Sequence, residues 1–414
     1  MSATALDDVD LLSPEATEDP YSVFATLRDT APAVWSERHQ SWVVARFSDV
    51  EAALTHRGLS SDRVAPVLAR QRAKDEPGTE SSATRVLDIL KSWMVVSDPP
   101  EHTRLRKLAA GAFKAQRISL MGEHIQSRVD AILDDFISSG ERDLIHHVAY
   151  PLPAAIIAEM MGVPLEDQDR FRAWSDELAL VAFGAGGEAR GERHTRALRG
   201  IEEMFAYLQG LVDAARAAPG EDMISALAAP VEDGDRLADD ELLSMLALLL
   251  FAGHETTINA TANGVLALLR NPDQLALLRE QPDLAPKAVE EVLRIDGAIK
   301  VLIRWTTEDV EVGDMTIPAG DRVFLALAGA NHDPDYFPDA SAMDITRHPN
   351  RHVAFGRGIH ACIGAQLARL EMRHMIASVV ERLPGLRLAD DAEISHVPSL
   401  AARALRELPV VHDA

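Results

Sequence analysis

The stretch Phe355-Gly356-Arg357-Gly358-Ile359-His360-Ala361-Cys362-Ile363-Gly364 contains the only cysteine among 414 residues. Glycines at 356, 358 and 364 describe a backbone that turns where side chains would collide, or that comes very close to something. Beyond it, Ile363, Leu367, Leu370, Met375, Ile376, Val379, Val380 and Leu383 recur at helical spacing as far as Pro384, so Cys362 stands at or just before a helix N-terminus. The exposed N–H groups and positive dipole end of a helix favour a thiolate there. A thiolate so placed is a nucleophile, an inert thiol or the single protein ligand of a haem iron, and this stretch alone leaves the three open.

The rest of the chain narrows the class. No Gly/Ser-rich or Pro-rich linker and no internal repeat divides it, so we expect a single domain over residues 1–414, helical in bulk, with a smaller β-rich region near 30–60 and 298–330. Apolar residues make up 47% of the chain, enough for an extensive core. With 41 Lys and Arg against 65 Asp and Glu, the formal charge of −24 argues against nucleic acid or an anionic membrane as partner. One cysteine excludes an intrachain disulfide. The first 20 residues are acidic and lack both a basic and an apolar region, and the run from Met245 to Gly253 falls well short of the ~20 residues a membrane span needs. The expectation is a soluble, cytoplasmic protein without a membrane anchor.

In chain order, Asp19-Pro20 opens a helix through Leu27, Trp42 to Ala45 reads as a buried strand, and Ser48 to His56 as a helix. Residues 63–91 are polar and read as a loop with one helical piece, Ser82 to Leu90. Helical patterns cover Leu120 to Ile137, Pro153 to Met161, Glu166 to Phe183 and Arg193 to Ala217, with a glycine-rich break at 184–187. Val301 to Ile303 reads as a strand, Val310 to Ile317 and Arg322 to Leu327 as a β meander, and Leu405 to Val411 as a closing strand.

Three further stretches carry chemistry. Asp98-Pro99-Pro100 sets up a helix on which His102 and Arg106 share a face, either an exposed basic surface or a fork for a carboxylate. Asp239-Asp240-Glu241 opens a helix apolar on all sides, which Ala252-Gly253-His254-Glu255-Thr256-Thr257 interrupts. Glycine costs ~1 kcal/mol relative to alanine in a helix interior, and a threonine hydroxyl bonding four residues back bends the ladder. A buried glutamate must be hydrogen-bonded or protonated. A packing kink or a functional opening both account for that pattern. Glu291 and Arg294, three apart on a helix, are able to pair.

The cysteine stretch resembles the haem-binding signature of the cytochrome P450 family, whose fixed positions are filled here by Phe355, Gly356, Gly358, His360, Cys362 and Gly364. Four further strings match the family in its order: His102 with Arg106, Ala252 to Thr256, Glu291 with Arg294, and Asn331-His332-Asp333-Pro334. The resemblance implies a mainly α fold with a smaller β-rich region and a long buried helix on the distal side of the haem. It implies Cys362 as ligand of the iron of haem b, with His102, Arg106 and Arg304 on the propionates and His360 against the cofactor. Ala252 and Gly253 would leave room over the iron, Thr256 would hydrogen-bond dioxygen, and Glu255 would feed protons from solvent. Arg347 would join Glu291 and Arg294 in support of the fold.

The implied activity is a monooxygenase that inserts one oxygen atom of O2 into a C–H bond of a hydrophobic small molecule, by hydroxylation or epoxidation, in natural-product (secondary) metabolism. Substrate-facing positions would include Leu248, Leu249, Ala298, Ile299, Val301, Leu302, Ser399 and Leu400. No flavin or iron–sulfur segment is visible, so electrons from NAD(P)H would arrive through a ferredoxin reductase and a ferredoxin. That ferredoxin would dock on basic residues at Arg104, Lys107, Lys114, Arg117, Arg351, Arg357, Arg369 and Arg373. A haem protein of this fold acting as peroxygenase, dehydratase or sensor, and a cysteine hydrolase using His360 as base, are the alternatives. Neither calls for Glu255 and Thr256.

Overall fold

The computed structural model describes residues 9–113, 118–182, 190–229 and 235–414. By internal contacts the chain forms two compact units: Met1–Leu59, Ile118–Pro153 and Thr256–Ala414 in one, Ser60–Arg117 and Ala154–Glu255 in the other. The glycine-rich break expected at 184–187 lies outside the described residues.

The strands are Val34–Ser36 (β1), Ser41–Val44 (β2), Leu59–Ser60 (β3), Val301–Thr306 (β4), Val310–Val312 (β5), Met315–Ile317 (β6), Arg322–Ala326 (β7), Arg387–Leu388 (β8) and Val410–Val411 (β9). The main sheet runs in the order β1-β2-β7-β4-β3. Its centre is a parallel pair, β2 with β7, in the register Trp42↔Val323, Val43↔Phe324 and Val44↔Leu325. Alternation gives each face its own core. Trp42, Val44, Val323 and Leu325 pack with Val310, Val312 and Ile317 of the β5–β6 hairpin. On the other face, Val43, Phe324, Ala326 and Val301 meet Phe24 and Leu27 of the helix Pro20–Thr30. That helix begins where expected, with Asp19 accepting from the backbone N–H groups of Tyr21 and Ser22.

The expected meander is split: β5 and β6 form their own two-stranded sheet, and β7 returns to the main one after the turn at 318–321. The closing strand is only Val410–Val411, paired with β8. In the same unit the helix Gly122–Ser139 packs on the helix Ala365–Arg382, where Gln126 Nε2 donates to Ser378 Oγ at 3.0 Å and Arg382 Nη1 to Asp130 O at 3.0 Å.

The other unit is helical. Gln168–Ala182 and Arg190–Ala217 pack through Phe171, Trp174 and Tyr207, whose ring centroids lie 5.4–5.6 Å apart. Arg196 pairs with Glu177 at 2.7 Å across the same contact. A helix that polar composition had concealed, Ala65–Arg72, occupies part of the expected loop, with Pro66 in its first turn.

The central helix, Asp239–Arg270, runs 32 residues without a break. Its three acids sit on the positive end of the dipole, and Glu241 Oε2 accepts from Ala238 N at 2.8 Å. The expected interruption at 252–257 is therefore absent from the backbone. Gly253 is explained by packing: a Cβ there would lie 3.1 Å from Ile157. The helix is long and apolar enough to cross a membrane by length and composition, but 67% of its most apolar window is buried inside the protein.

Candidate active site

Cys362 closes a tight loop. Gly356 (φ +67°) and Gly358 (φ +68°) take left-handed conformations that disfavour any side chain, and a Cβ on Gly358 would also lie 3.1 Å from Thr55. Cys362 N donates to Phe355 O at 2.9 Å and Ala361 N to Gly358 O at 3.1 Å, after which Gly364 caps the helix Ala365–Arg382. The thiol is exposed at that helix N-terminus.

The loop is buttressed from behind. The Arg369 guanidinium lies 4.4 Å from the centroid of the Phe355 ring and binds Glu290 through two hydrogen bonds of 2.6 and 2.9 Å. Glu290 also meets His352 Nε2 at 3.1 Å. Burial pushes the Glu290 carboxyl up, but the hydrogen bonds of His352 and Arg369 outweigh it and hold it at about 2. Sequence reasoning missed Glu290 and His352: Glu290 is marked only by adjacency to Glu291, and nothing local marks His352.

Beside this lies a second network, built on the buried pair Glu291 and Arg294. Arg294 Nε and Nη2 donate to Glu291 at 2.8 and 2.7 Å, Arg347 Nε donates to Glu291 at 3.2 Å, and Asn350 Nδ2 adds a fourth contact at 3.0 Å. Arg294 also holds the carbonyls of Asn331 and Ala340. The string at 331–334, which has no evident chemistry in the sequence, acquires a structural one: Asn331 Oδ1 accepts from Val353 N, and Asp333 Oδ2 from Phe47 N.

In the same unit, Arg304 is buried on β4 with Nη1 on Ile303 O at 2.9 Å. Two expected substrate-facing segments come together there. Ile299 bridges Ala402, Lys300 N donates to Ala401 O at 2.7 Å, and Arg403 N to Ala298 O at 2.8 Å. Ile299, Leu302 and Leu400 retain exposed surface. Ala298, Val301 and Ser399 are buried: Val301 packs in the core with Phe24 and Leu27, and Ser399 Oγ accepts from Ala402 N.

The helical unit carries the remaining residues. His102 is buried on the helix Glu101–Ala110, and burial, then the charge of Arg106, lower its pKa, which keeps the imidazole a neutral donor. On the central helix Leu248 and Leu249 are buried. Ala252 is exposed and Gly253 and Glu255 partly so, an open strip on a helix buried just before it. Thr256 follows directly on the same helix. Burial, then the charge of Asp176, pushes the Glu255 carboxyl up to about 7.

The basic docking face is thinner than its sequence suggests. Arg104 binds Glu101 at 2.8 Å and also contacts Glu241; Arg357 lies 3.3 Å from Glu51; and Arg369 is committed to Glu290. Lys114 and Arg117 lie outside the described residues.

A thiol exposed at a helix N-terminus, closing a loop whose glycines keep it clear of side chains, is a donor that fits the iron of a porphyrin. This is the chemistry of a haem-thiolate protein. The chain belongs to the cytochrome P450 family, whose sequence model matches residues 31–384. It is 39% identical over 411 residues to the cytochrome P450 monooxygenase PikC of Streptomyces venezuelae, covering 97% of this chain and 93% of that one. It is 38% identical to the vitamin D(3) 25-hydroxylase of Pseudonocardia autotrophica, over 99% and 98% of the two chains. Among solved structures, P450BioI in complex with an acyl carrier protein bearing hexadec-9Z-enoic acid superposes with a TM-score of 0.87 at 33% identity, covering 96% of this chain and 100% of that one. The protein is accordingly a haem monooxygenase that uses O2 and reducing equivalents delivered by redox partners.

Proposed function

We propose that the protein hydroxylates or epoxidises a hydrophobic small molecule of natural-product type, with Cys362 as thiolate ligand of haem b. The observation that carries this reading is the exposed thiol of the only cysteine, fixed by the Phe355–Cys362 backbone bond at a helix N-terminus. Bound through a thiolate, the haem supplies an electron-rich iron that favours O–O cleavage. By the family resemblance, His102, Arg106, Arg304 and His360 would supply donors for its propionates and edge, while Phe355, Gly356 and Gly364 shape the thiolate loop.

The overall reaction takes a C–H bond, O2, two electrons and two protons to a C–OH group and water. Protons must therefore reach a dry site in step with electrons. Glu255, neutral or charged with nearly equal ease at neutral pH, suits proton delivery, and the Thr256 hydroxyl suits a hydrogen bond to dioxygen. Ala252, exposed on the central helix, leaves that face open, while the bare Gly253 admits Ile157. The partly exposed Ile299, Leu302 and Leu400 offer an apolar surface for substrate, in keeping with relatives such as the vitamin D(3) 25-hydroxylase. Electrons come from NAD(P)H through a ferredoxin reductase and a ferredoxin in the cytoplasm.

The test is spectroscopic. The reduced protein under carbon monoxide is expected to show the strongly red-shifted Soret band of a thiolate-ligated haem, and Cys362→Ala to lose it. Persistence of that band in the variant defeats the assignment.

A further inference from the structure

Glu255 has two neighbours that the reaction scheme does not use. The helix Gln168–Ala182 brings Asp176 to it, and His254 precedes it on the central helix; one ligand atom of each of the three lies within 4.8 Å of the others. The three differ in access to water. Asp176 is exposed, the Glu255 side chain is 17% exposed, and His254 is buried. They thus form a graded series from solvent to the helix interior, all within the helical unit.

The imidazole is fixed. His254 Nδ1 lies 3.1 Å from Leu250 O and 3.3 Å from Ser175 Oγ, and because a carbonyl can only accept, Nδ1 carries the proton. In the neutral ring Nε2 is then an acceptor, and it lies 3.8 Å from Glu255 Oε1. Ser175, which helps hold the ring, is the residue before Asp176, so one turn of that helix orients both neighbours of Glu255. The helix Pro151–Met161, also packed here, presents the apolar Ile157. Among the described residues the outside charge acting on Glu255 is that of Asp176, and together with burial it raises the carboxyl to about 7.

We propose that Asp176 is the solvent-side station of a two-carboxyl proton relay, taking a proton from water and passing it to Glu255. The Asp176 carboxylate gains the proton from solvent and is restored on handing it to the Glu255 carboxylate, which delivers it inward; no electron moves. At a separation of up to 4.8 Å, one bridging water or one rotamer change closes the gap. The exposed carboxylate has a second effect: its negative charge raises the proton affinity of Glu255, so the inner station is reloaded after each delivery.

This relay rests on the reading of Glu255 as proton donor, and the experiment separates the two. In the haem-loaded protein, the C=O stretch of protonated Glu255 is assigned by infrared difference against Glu255→Gln and titrated with pH in the parent, in Asp176→Asn and in Asp176→Glu. Product formed per reductant consumed is measured in the same proteins at pH 6 and pH 8. The relay requires Asp176→Asn to lower the Glu255 midpoint by on the order of one pH unit and to cut product per reductant roughly fivefold or more at pH 8, with Asp176→Glu restoring both. An unmoved midpoint, or coupling equal to the parent in Asp176→Asn while Glu255→Gln is impaired, overturns the relay and leaves Glu255 in place. Unimpaired coupling in Glu255→Gln overturns the donor role of Glu255 and the relay with it.

Discussion

Single carboxyl groups in this protein illustrate how environment alone sets a proton affinity. Glu290 is held low by the hydrogen bonds of His352 and Arg369, Glu255 is raised to about 7, and Glu371, on the cysteine helix, is raised further, to about 8, by burial. Among the described residues Glu371 Oε2 has no hydrogen-bond partner. In the unfolded chain this group ionises near its ordinary 4.5, whereas in the native protein it keeps its proton up to about 8. Between those values the unfolded state binds fewer protons, so stability falls as pH rises, by up to about 1.4 kcal/mol per pH unit from this residue. Glu371→Met is accordingly expected to gain stability over the parent progressively from pH 5 to pH 8 in denaturant titrations. A constant gap between the two proteins across that range contradicts the assignment. None of this is visible in the sequence, where Glu371 lies among Arg369, Arg373 and His374 and reads as one charge on a solvated helix.

At the scale of helices and strands, close approach explains residues that composition makes look like defects. Gly264 of the central helix faces Val292 so closely that a Cβ would lie 2.6 Å from its Cγ1. A helical Gly→Ala change ordinarily gains ~1 kcal/mol, but overpacking a tight core costs about 1–3 kcal/mol. Gly264→Ala is therefore expected to destabilise, and Val292→Ala in the same chain to recover part of that loss, a coupling that a double-mutant cycle measures. Additive effects would show that the contact relaxes freely. The same contrast decides what was legible beforehand. The cysteine loop and the acidic start of the central helix are written in residues a few positions apart, and they fold as read. The helix Ala65–Arg72 escaped because it buries only Leu68 and carries its proline in the first turn. The pairing of Asp176 with Glu255, and of Glu290 with Arg369 and His352, arises where separate elements meet, and local periodicity carries no trace of it.

Across the whole molecule, the first unit is tied together by residues from opposite ends of the sequence. Buried Arg403 donates to Thr17 O at 2.6 Å, Glu18 O at 3.0 Å and Asp296 Oδ1 at 3.1 Å, and Tyr21 also binds Asp296. Arg403→Met, which strands the Asp296 carboxylate, is expected to cost about 3–5 kcal/mol, whereas Arg406→Met, at the surface three residues on, should stay within about 0.5 kcal/mol of the parent. Comparable losses for both would remove Arg403 from this role. The parallel pairing of β2 with β7 has a consequence on the ribosome. Trp42, Val43 and Val44 emerge about 280 residues before Val323, Phe324 and Leu325, their partners in the sheet. At ~5–20 residues per second that is a delay on the order of 15–60 s, during which the hydrogen-bonding edge of an apolar strand waits unpaired. The helical unit, by contrast, is fully synthesised once Glu255 has emerged. The nascent chain thus has its helical unit complete while β2 has only its hairpin with β1, until β7 emerges late in translation.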